Sequence, residues 1–464
     1  MKSKCILCLC LLLSCHIIQN LALDLNSLVI IILTQDNPYD IKLGTNLKND
    51  IENQARNLGS KLPIVYQSHV DLPVIGDWTI LPLIPILKSI HSNNASWYIF
   101  IDDITEIRLV KLLKTLDKYN QEENIWIGHA LHDDECTIIH HFAFYPDPKW
   151  FQYPNIASGV AFSNAMLSRL SNKLMIDPPK IDFSIDRSHE LAKHIWDDGK
   201  GFALSHEESF CVEDGGDCAT ISQKFTPCDN TAIPLESIYF AIKTCSKFHN
   251  DRVSVVVKTW GKQALNLYFF SDIKDGSIPT IDLNVTNTES GHCAKTMAIL
   301  KYASKELGKN KKLKWVVLSD DDTLFSIPRL QQFLTCYDPN WTVAIGERYG
   351  YNVLASEGYN YITGGGGTIF SRKMVQLLTK PGNCDCPSPS TPDDMFLGIC
   401  ISKLDGTLVH SPFFHQARPM DYAEDYLKWQ TLISFHKHWM IDPIKVYNKY
   451  LLVADKFDQK HIEL

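Results

Sequence analysis

The 464-residue chain has no lysine- or arginine-rich tract, and acidic residues outnumber basic ones 53 to 45, for a formal net charge of −8. With a pI near 6.1, it lacks the clustered cations that neutralising a nucleic-acid backbone requires. Beyond the N-terminus there is no apolar stretch long enough to cross a bilayer. The glycine run Gly364–Gly367 is not followed by the Gly-Lys-Ser/Thr of a nucleotide P-loop. Cys384-Asp-Cys386 has no second ligand pair to make a zinc site, so disulfides are the better expectation. What the chain does have is ordinary globular composition, 45% hydrophobic and 21% charged, enough for two domains of about 200 residues each.

Both ends carry addresses. Lys2 and Lys4 precede an apolar run from Cys5 to Ile18 and small or polar residues near Asn20 and Ala22, the layout of a signal peptide over 1–22, with a signal anchor as the alternative. His461-Ile-Glu-Leu464 resembles a Lys-Asp-Glu-Leu retrieval signal. Together they predict a soluble protein of the endoplasmic reticulum lumen with a retrieval receptor as one partner. Of 14 cysteines, Cys5, Cys8, Cys10 and Cys15 lie in the leader; the others form an even set suited to disulfides in an oxidising compartment, with no pairing readable from spacing. Asn94, Asn284 and Asn340 open glycosylation sequons.

Trp315-Val-Val-Leu-Ser319 is a short apolar run of the kind that makes a buried strand, and it ends in Asp320-Asp321-Asp322-Thr323. Three adjacent carboxylates repel unless a cation sits among them. The segment is therefore a divalent-metal site at a strand end or, more blandly, an acidic turn or helix cap. An echo lies 218 residues upstream, Trp97-Tyr-Ile-Phe-Ile101-Asp102-Asp103-Ile104-Thr105, and the same offset relates Ile127-Gly128 to Ile345-Gly346. Ala157–Ser163 echoes Gly364–Ser371 at an offset of 208. Repetition on this scale marks a duplicated domain rather than a solenoid. Each copy alternates strand-like and helix-like runs, which predicts α/β domains with a mostly parallel sheet and a ligand at the carboxyl ends of its strands. Residues 207–234, rich in Gly, Asp, Cys and Pro, read as the linker between a 23–206 unit and a 235–464 unit. In the first copy Ile104 replaces Asp322 and Ile101 replaces Ser319, and hydrocarbon cannot ligate a hard cation.

Four further segments accompany the intact acids. Ser237–Thr244 with Phe248–Arg252 and Val255–Trp260 reads as strand, loop and helix, and Leu267–Asp272 as a strand delivering another acid. Tyr361-Ile-Thr363-Gly364-Gly365-Gly366-Gly367 would let backbone N–H groups approach a ligand where a Cβ would block them, a surface loop being the plain alternative. Pro392-Asp393-Asp394 opens a helix, where Asp393 could simply be a cap. Ser411-Pro-Phe-Phe-His415 places an imidazole after an apolar run, a position more often structural than liganding.

Taken in order, the Lys243-Thr244 strand end, Arg252, Ser271-Asp272, the triple aspartate, Thr363–Gly367, Pro392-Asp-Asp394 and Phe414-His415 resemble the Fringe-like β-1,3-glycosyltransferases across residues 237–416. Phe414-His-Gln-Ala-Arg-Pro419, Ser434-Phe-His-Lys-His-Trp439, the degenerate copy and the tail resemble the branch that adds glucose to O-linked fucose on thrombospondin type 1 repeats. The resemblance implies an α/β fold of two tandem GT-A-like (Rossmann-like) domains, 23–206 degenerate and 235–464 catalytic. It also implies UDP-glucose as donor, Mn²⁺, inverting transfer, and fucosylated thrombospondin type 1 repeats as partners. Asp322 would ligate the metal, with Asp320 and His415 completing the site; Asp320 and Asp321 would hold ribose and metal waters. Thr244, Arg252 and Asp272 would contact uridine or diphosphate, with Gly365 and Gly366 beside the donor. Asp394 would be the general base, Asp393 the second choice. Aligning Asp198-Gly199 with Asp405-Gly406 sets Arg187 opposite Asp394, and a cation cannot accept that proton.

The rival enzyme is a Fringe-type N-acetylglucosaminyl- or galactosyltransferase; the rival of another class is a non-catalytic lumenal lectin or chaperone. An aspartate-nucleophile phosphatase needs Asp-x-Asp-x-Thr, and counting from Asp320 the threonine position falls on Leu324.

Overall fold

The computed structural model describes residues 23–91, 94–180 and 182–452; the leader 1–22 and the tail His461–Leu464 lie outside them. Two large sheets organise the chain. The first contains β1 (Leu28–Leu33), β2 (Ile64–Gln67), β3 (Trp97–Asp102), β4 (Trp126–Gly128), β5 (Val160–Ser163) and β6 (Ser205–His206), in the spatial order β6-β4-β5-β3-β1-β2. The second contains β7 (Ile238–Lys243), β8 (Asn266–Ser271), β9 (Thr280–Asp282), β10 (Trp315–Asp320), β11 (Val343–Gly346), β12 (Thr368–Ser371) and β13 (Thr407–His410), in the order β9-β8-β7-β10-β12-β11-β13.

Setting the edge strand β9 aside, the two orders are the same, and so are the strand senses. β1 runs parallel to β2 and β3 as β7 does to β8 and β10. β5 and β12 each enter antiparallel to both neighbours, and β6 and β13 are parallel to β4 and β11. The sheets are therefore mostly parallel, as the sequence pattern predicts, with one reversed strand in each, β5 and β12, among the described strands. All six residues of β1 and of β7 are buried, because both faces of a central strand are covered and an apolar run is the stable choice, broken in β7 only by its last residue, Lys243. Local chemistry repeats too: Ser163 and Ser371 each cap the helix that follows by accepting from Met166 N and Met374 N.

The 207–234 segment is woven into this framework. Thr220–Ser222 pairs antiparallel with Thr105–Ile107, Cys211–Cys218 closes the loop before it, and Cys228–Cys336 ties the segment to the second half. The halves also share a small sheet, Phe183–Ser184 pairing with Arg348–Tyr351 and that strand with Tyr359–Ile362. Gln35 exchanges two hydrogen bonds with the His410 backbone, at 3.0 and 2.7 Å.

Among the described residues four disulfides form, and Cys136 and Cys245 are unpaired. Cys384 and Cys386 enter different bridges, to Cys400 and Cys293. These bridges connect the start of α3 (Cys293–Lys309) to the body of α4 (Asp393–Lys403), once α1 (Pro38–Asn57) and α2 (Arg187–Trp196) are counted in the first half. The body of α4, whose first turn carries Asp393 and Asp394, is thus tied covalently through Cys400 to the 384–386 segment. Asn94, Asn284 and Asn340 are all exposed. Among the described residues no helix is long and apolar enough to cross a membrane.

Candidate active site

Parallel pairing of β7 with β10 sets Lys243 beside Asp320 at the carboxyl ends of the two strands. Lys243 Nζ lies 3.2 Å from Asp320 and donates to Asp393 at 2.7 Å. Burial opposes the charge on Lys243, but the two carboxylates outweigh it and raise its pKa. Thr296 on α3 also donates to Asp393, at 2.5 Å. Burial alone would raise the Asp393 carboxyl; Lys243 and Thr296 instead hold it near 2. Among the described residues, its neighbour Asp394 accepts only from the Met395 amide, at 2.8 Å. Burial and then the Asp393 charge push the Asp394 carboxyl up to about 6. One helix turn therefore presents two adjacent carboxylates of opposite character: Asp393 locked in a salt bridge, Asp394 poised to take a proton near neutral pH.

The triple aspartate divides its tasks as well. Asp321 is buried and accepts from Thr244 at 2.6 Å and from Arg252 at 3.1 Å, which makes it a tie between β7, β10 and the 249–258 helical stretch. Burial raises its carboxyl to about 6, against the pull of Thr244. Asp322 is buried, pairs with Arg252 at 3.0 Å, and has His436 Nε2 3.1 Å from its other oxygen. Burial is overcome there by His436 and Arg252, and the carboxyl sits near 2.

Asp320, Asp322 and His436 offer one ligand atom each within 4.8 Å of one another. The strand Ser434–His436 pairs antiparallel with Thr323–Phe325, which swings His436 over the acids. Its Nδ1–H donates to the Gln416 carbonyl at 2.8 Å, which turns Nε2 toward the carboxylates, the orientation a metal-binding histidine needs. Asp322 Oδ1 is buried without a well-aligned hydrogen bond. A hard divalent cation fits this donor set of two carboxylates and an imidazole.

His415 occupies a different place from the one the resemblance implies. It is buried against Phe435, with Nδ1 donating to the Ser434 carbonyl at 2.9 Å and Nε2 2.8 Å from the Gln430 amide. Burial lowers its pKa to about 4, so the ring is neutral and both nitrogens are engaged inside the fold. His436 is the imidazole beside the acids. The repeated His436-Lys-His438 pattern is the available signal in the sequence, but only the strand pairing shows which histidine faces the carboxylates.

Other predicted positions sort by what they touch. Thr244, Arg252 and the three aspartates line a cavity of about 1200 Å³ with Lys247, Phe248, His292, Lys295 and Trp439. Arg252 lies over the Phe248 ring at 4.0 Å, and Lys295 donates to the Thr244 carbonyl and to Asn287. Ile138 and Phe142 of the first half reach the same wall. Asp272 is not on that wall; it accepts from Ser246 N at 2.7 Å and orders the turn after β7. At Gly365 a Cβ would fall on the His436 imidazole, and at Gly366 it would press within 3.3 Å of the His415 backbone. Those glycines make room for the two histidine segments beneath the site, and among the four only Gly367 has a positive φ, 89°. A second close set, Asp133, His140 and His189, lies in the first half. There His140 is already bracketed by Asp133 at 2.6 Å and Asp186 at 3.1 Å.

A sequence model of the Fringe-like family matches residues 233–461. Human β-1,3-glucosyltransferase is 45% identical over 94% of this chain and 86% of its own length, and the mouse protein of the same name 44% identical over 94% and 88%. Among solved structures, a glycosyltransferase involved in the glycosylation of the major capsid of PBCV-1 overlaps 49% of this chain and 99% of its own at a TM-score of 0.27 and 12% identity, too slight a likeness to bear on the fold. The acids at the end of β10, the carboxylate pair at the start of α4 and near full-length kinship agree: the chain belongs to the Fringe-like family and is an inverting β-1,3-glycosyltransferase.

Proposed function

We propose that the enzyme transfers glucose from UDP-glucose in β-1,3 linkage onto O-linked fucose of thrombospondin type 1 repeats, in the lumen of the endoplasmic reticulum. Both halves are read as GT-A-like domains, the first degenerate. Glucose is favoured as the donor sugar by the relatives named β-1,3-glucosyltransferase, which align along nearly the whole chain. A lumenal setting is supported by four disulfides and three exposed sequons, with His461–Leu464 as the contact for a retrieval receptor.

The observation that carries the mechanism is the split between Asp393 and Asp394. Asp394 takes the proton of the fucose 3-hydroxyl as that oxygen attacks the anomeric carbon, which passes through an oxocarbenium-like state. One base and one displacement convert an α-linked donor into a β-linked product. Asp393, fixed by Lys243 and Thr296, holds the helix start in register with Asp320. Arg252, Lys247 and Lys295 supply positive charge along the cavity for a diphosphate. Asp320, Asp322 and His436 would hold Mn²⁺, which when bound supplies Lewis-acid stabilisation of the departing diphosphate. Mn²⁺-dependent transfer from radiolabelled UDP-glucose, UDP-N-acetylglucosamine and UDP-galactose to a fucosylated repeat tests the reading. Glucose is expected to be transferred, and selective N-acetylglucosamine transfer would overturn the donor choice.

A further inference from the structure

The three-stranded sheet shared by the halves carries a row of aromatic rings. Residues directly opposed in a sheet project from the same face, and the register opposes Phe183 to Tyr351 and Tyr351 to Tyr359. Their ring centroids are 5.1 and 5.4 Å apart. Tyr361, two residues along and so on the same face, continues the row at 6.5 Å. At one end Phe183, from the first half, is 38% exposed, and Tyr351 and Tyr359 are half-buried.

At the other end the row meets the helix of the base. α4 lies so close to the Tyr359–Ile362 strand that a Cβ on Gly398 would come within 2.5 Å of the Asn360 carbonyl oxygen and of Tyr361 Cβ. The row therefore starts beside the helix carrying Asp394 and runs across the domain boundary for more than the width of one sugar ring. Partly exposed tyrosine and phenylalanine faces in line pack well on sugar C–H faces and on apolar polypeptide surface, and tyrosine is enriched where binding energy concentrates.

We propose that this row is the acceptor-docking surface, with Tyr359 flanking the fucose and Tyr351 and Phe183 contacting the folded polypeptide that bears it. The proposal rests on Asp394 as the base, and it makes Phe183 a positioning residue supplied by the degenerate half. Nothing in the Asp320–Asp322 cluster touches Phe183 or Tyr351, so donor handling and acceptor docking are separable.

The test compares wild type with Phe183→Ala, Tyr351→Ala and Phe183→Tyr. Four readouts apply: calorimetric affinity for a folded, O-fucosylated acceptor domain, KM for the same domain, transfer to p-nitrophenyl α-fucoside, and Mn²⁺-dependent UDP-glucose hydrolysis. Both alanine variants are expected to weaken affinity and raise KM for the folded acceptor about tenfold, with the small fucoside and hydrolysis unchanged and Phe183→Tyr near wild type. Unchanged affinity for the folded acceptor overturns the proposal, and so does an equal fall in all four readouts, which would make the row structural. Failure of the underlying reading shows separately, as a wild type that hydrolyses no UDP-glucose or an Asp394→Asn variant with full turnover.

Discussion

Leu33 and Lys243 hold the same place in the two halves, each the register partner of a strand-end aspartate, Asp102 or Asp320. In the second half the lysine bridges Asp320 to Asp393. In the first half leucine cannot, and the cation enters from the opposite side, on Arg187 at the start of α2. Its guanidinium takes both Asp102 oxygens at 2.7 Å. The sequence offset sets Arg187 against Asp394, whereas matching first helical residues sets it against Asp393; on either count a fixed positive charge stands where the other copy keeps an acid. Burial pushes the remaining acids toward neutrality, Asp40 to about 7 and Asp103 well above the carboxylate range. A cavity of about 640 Å³ survives over Asp102, Asp103 and Arg187. The fold preserves the concavity, while a few side chains decide whether it can do chemistry.

The sharpest way to break this contrast is at the third carboxylate. Asp322→Asn should reduce transfer to background and abolish measurable Mn²⁺ binding by calorimetry, since it removes a ligand oxygen that Ile104, its counterpart in the first half, does not offer. Next, His436→Ala should weaken Mn²⁺ binding by at least about tenfold, while His415→Ala should leave the metal Kd alone and lower Tm. The reverse result would return the ligand role to His415. In the first half, Asp102→Asn should leave kcat at the wild-type value yet destabilise the fold by roughly 3–5 kcal/mol, because it strands the largely buried Arg187 charge; denaturant unfolding measures it. The smallest effect is expected from Gly365→Ala, which displaces His436 by one methyl group and should raise the metal Kd severalfold.

Part of the contrast is legible in the amino-acid sequence. The duplication, the strand ends bearing Asp102 and Asp320, and the loss at Ile104 follow from local patterns whose periodicity and polarity survive in the chain. The role of His436 is not legible there, because its approach to Asp322 depends on an antiparallel pairing between segments far apart in sequence. The antiparallel entry of β5 and β12 is equally hidden, since a short buried strand has the same composition in either direction. The glycine run suggests an opening for a ligand, whereas at Gly365 and Gly366 it is the packing of the histidine segments that requires the missing Cβ. The different ionisation of Asp393 and Asp394 depends on Lys243 and Thr296, which only tertiary structure brings together.

The pH dependence of kcat/KM at saturating Mn²⁺, with wild type and Asp394→Asn side by side, tests the central claim most directly. A general base works deprotonated, and burial raises the Asp394 carboxyl to about 6. The wild-type rate should therefore climb as pH rises through about 6 and level off above it. Asp394→Asn should lose that limb along with roughly 10²–10⁴-fold in rate. An unchanged limb in Asp394→Asn, or turnover near wild type, would contradict the assignment of the chemistry to this carboxylate.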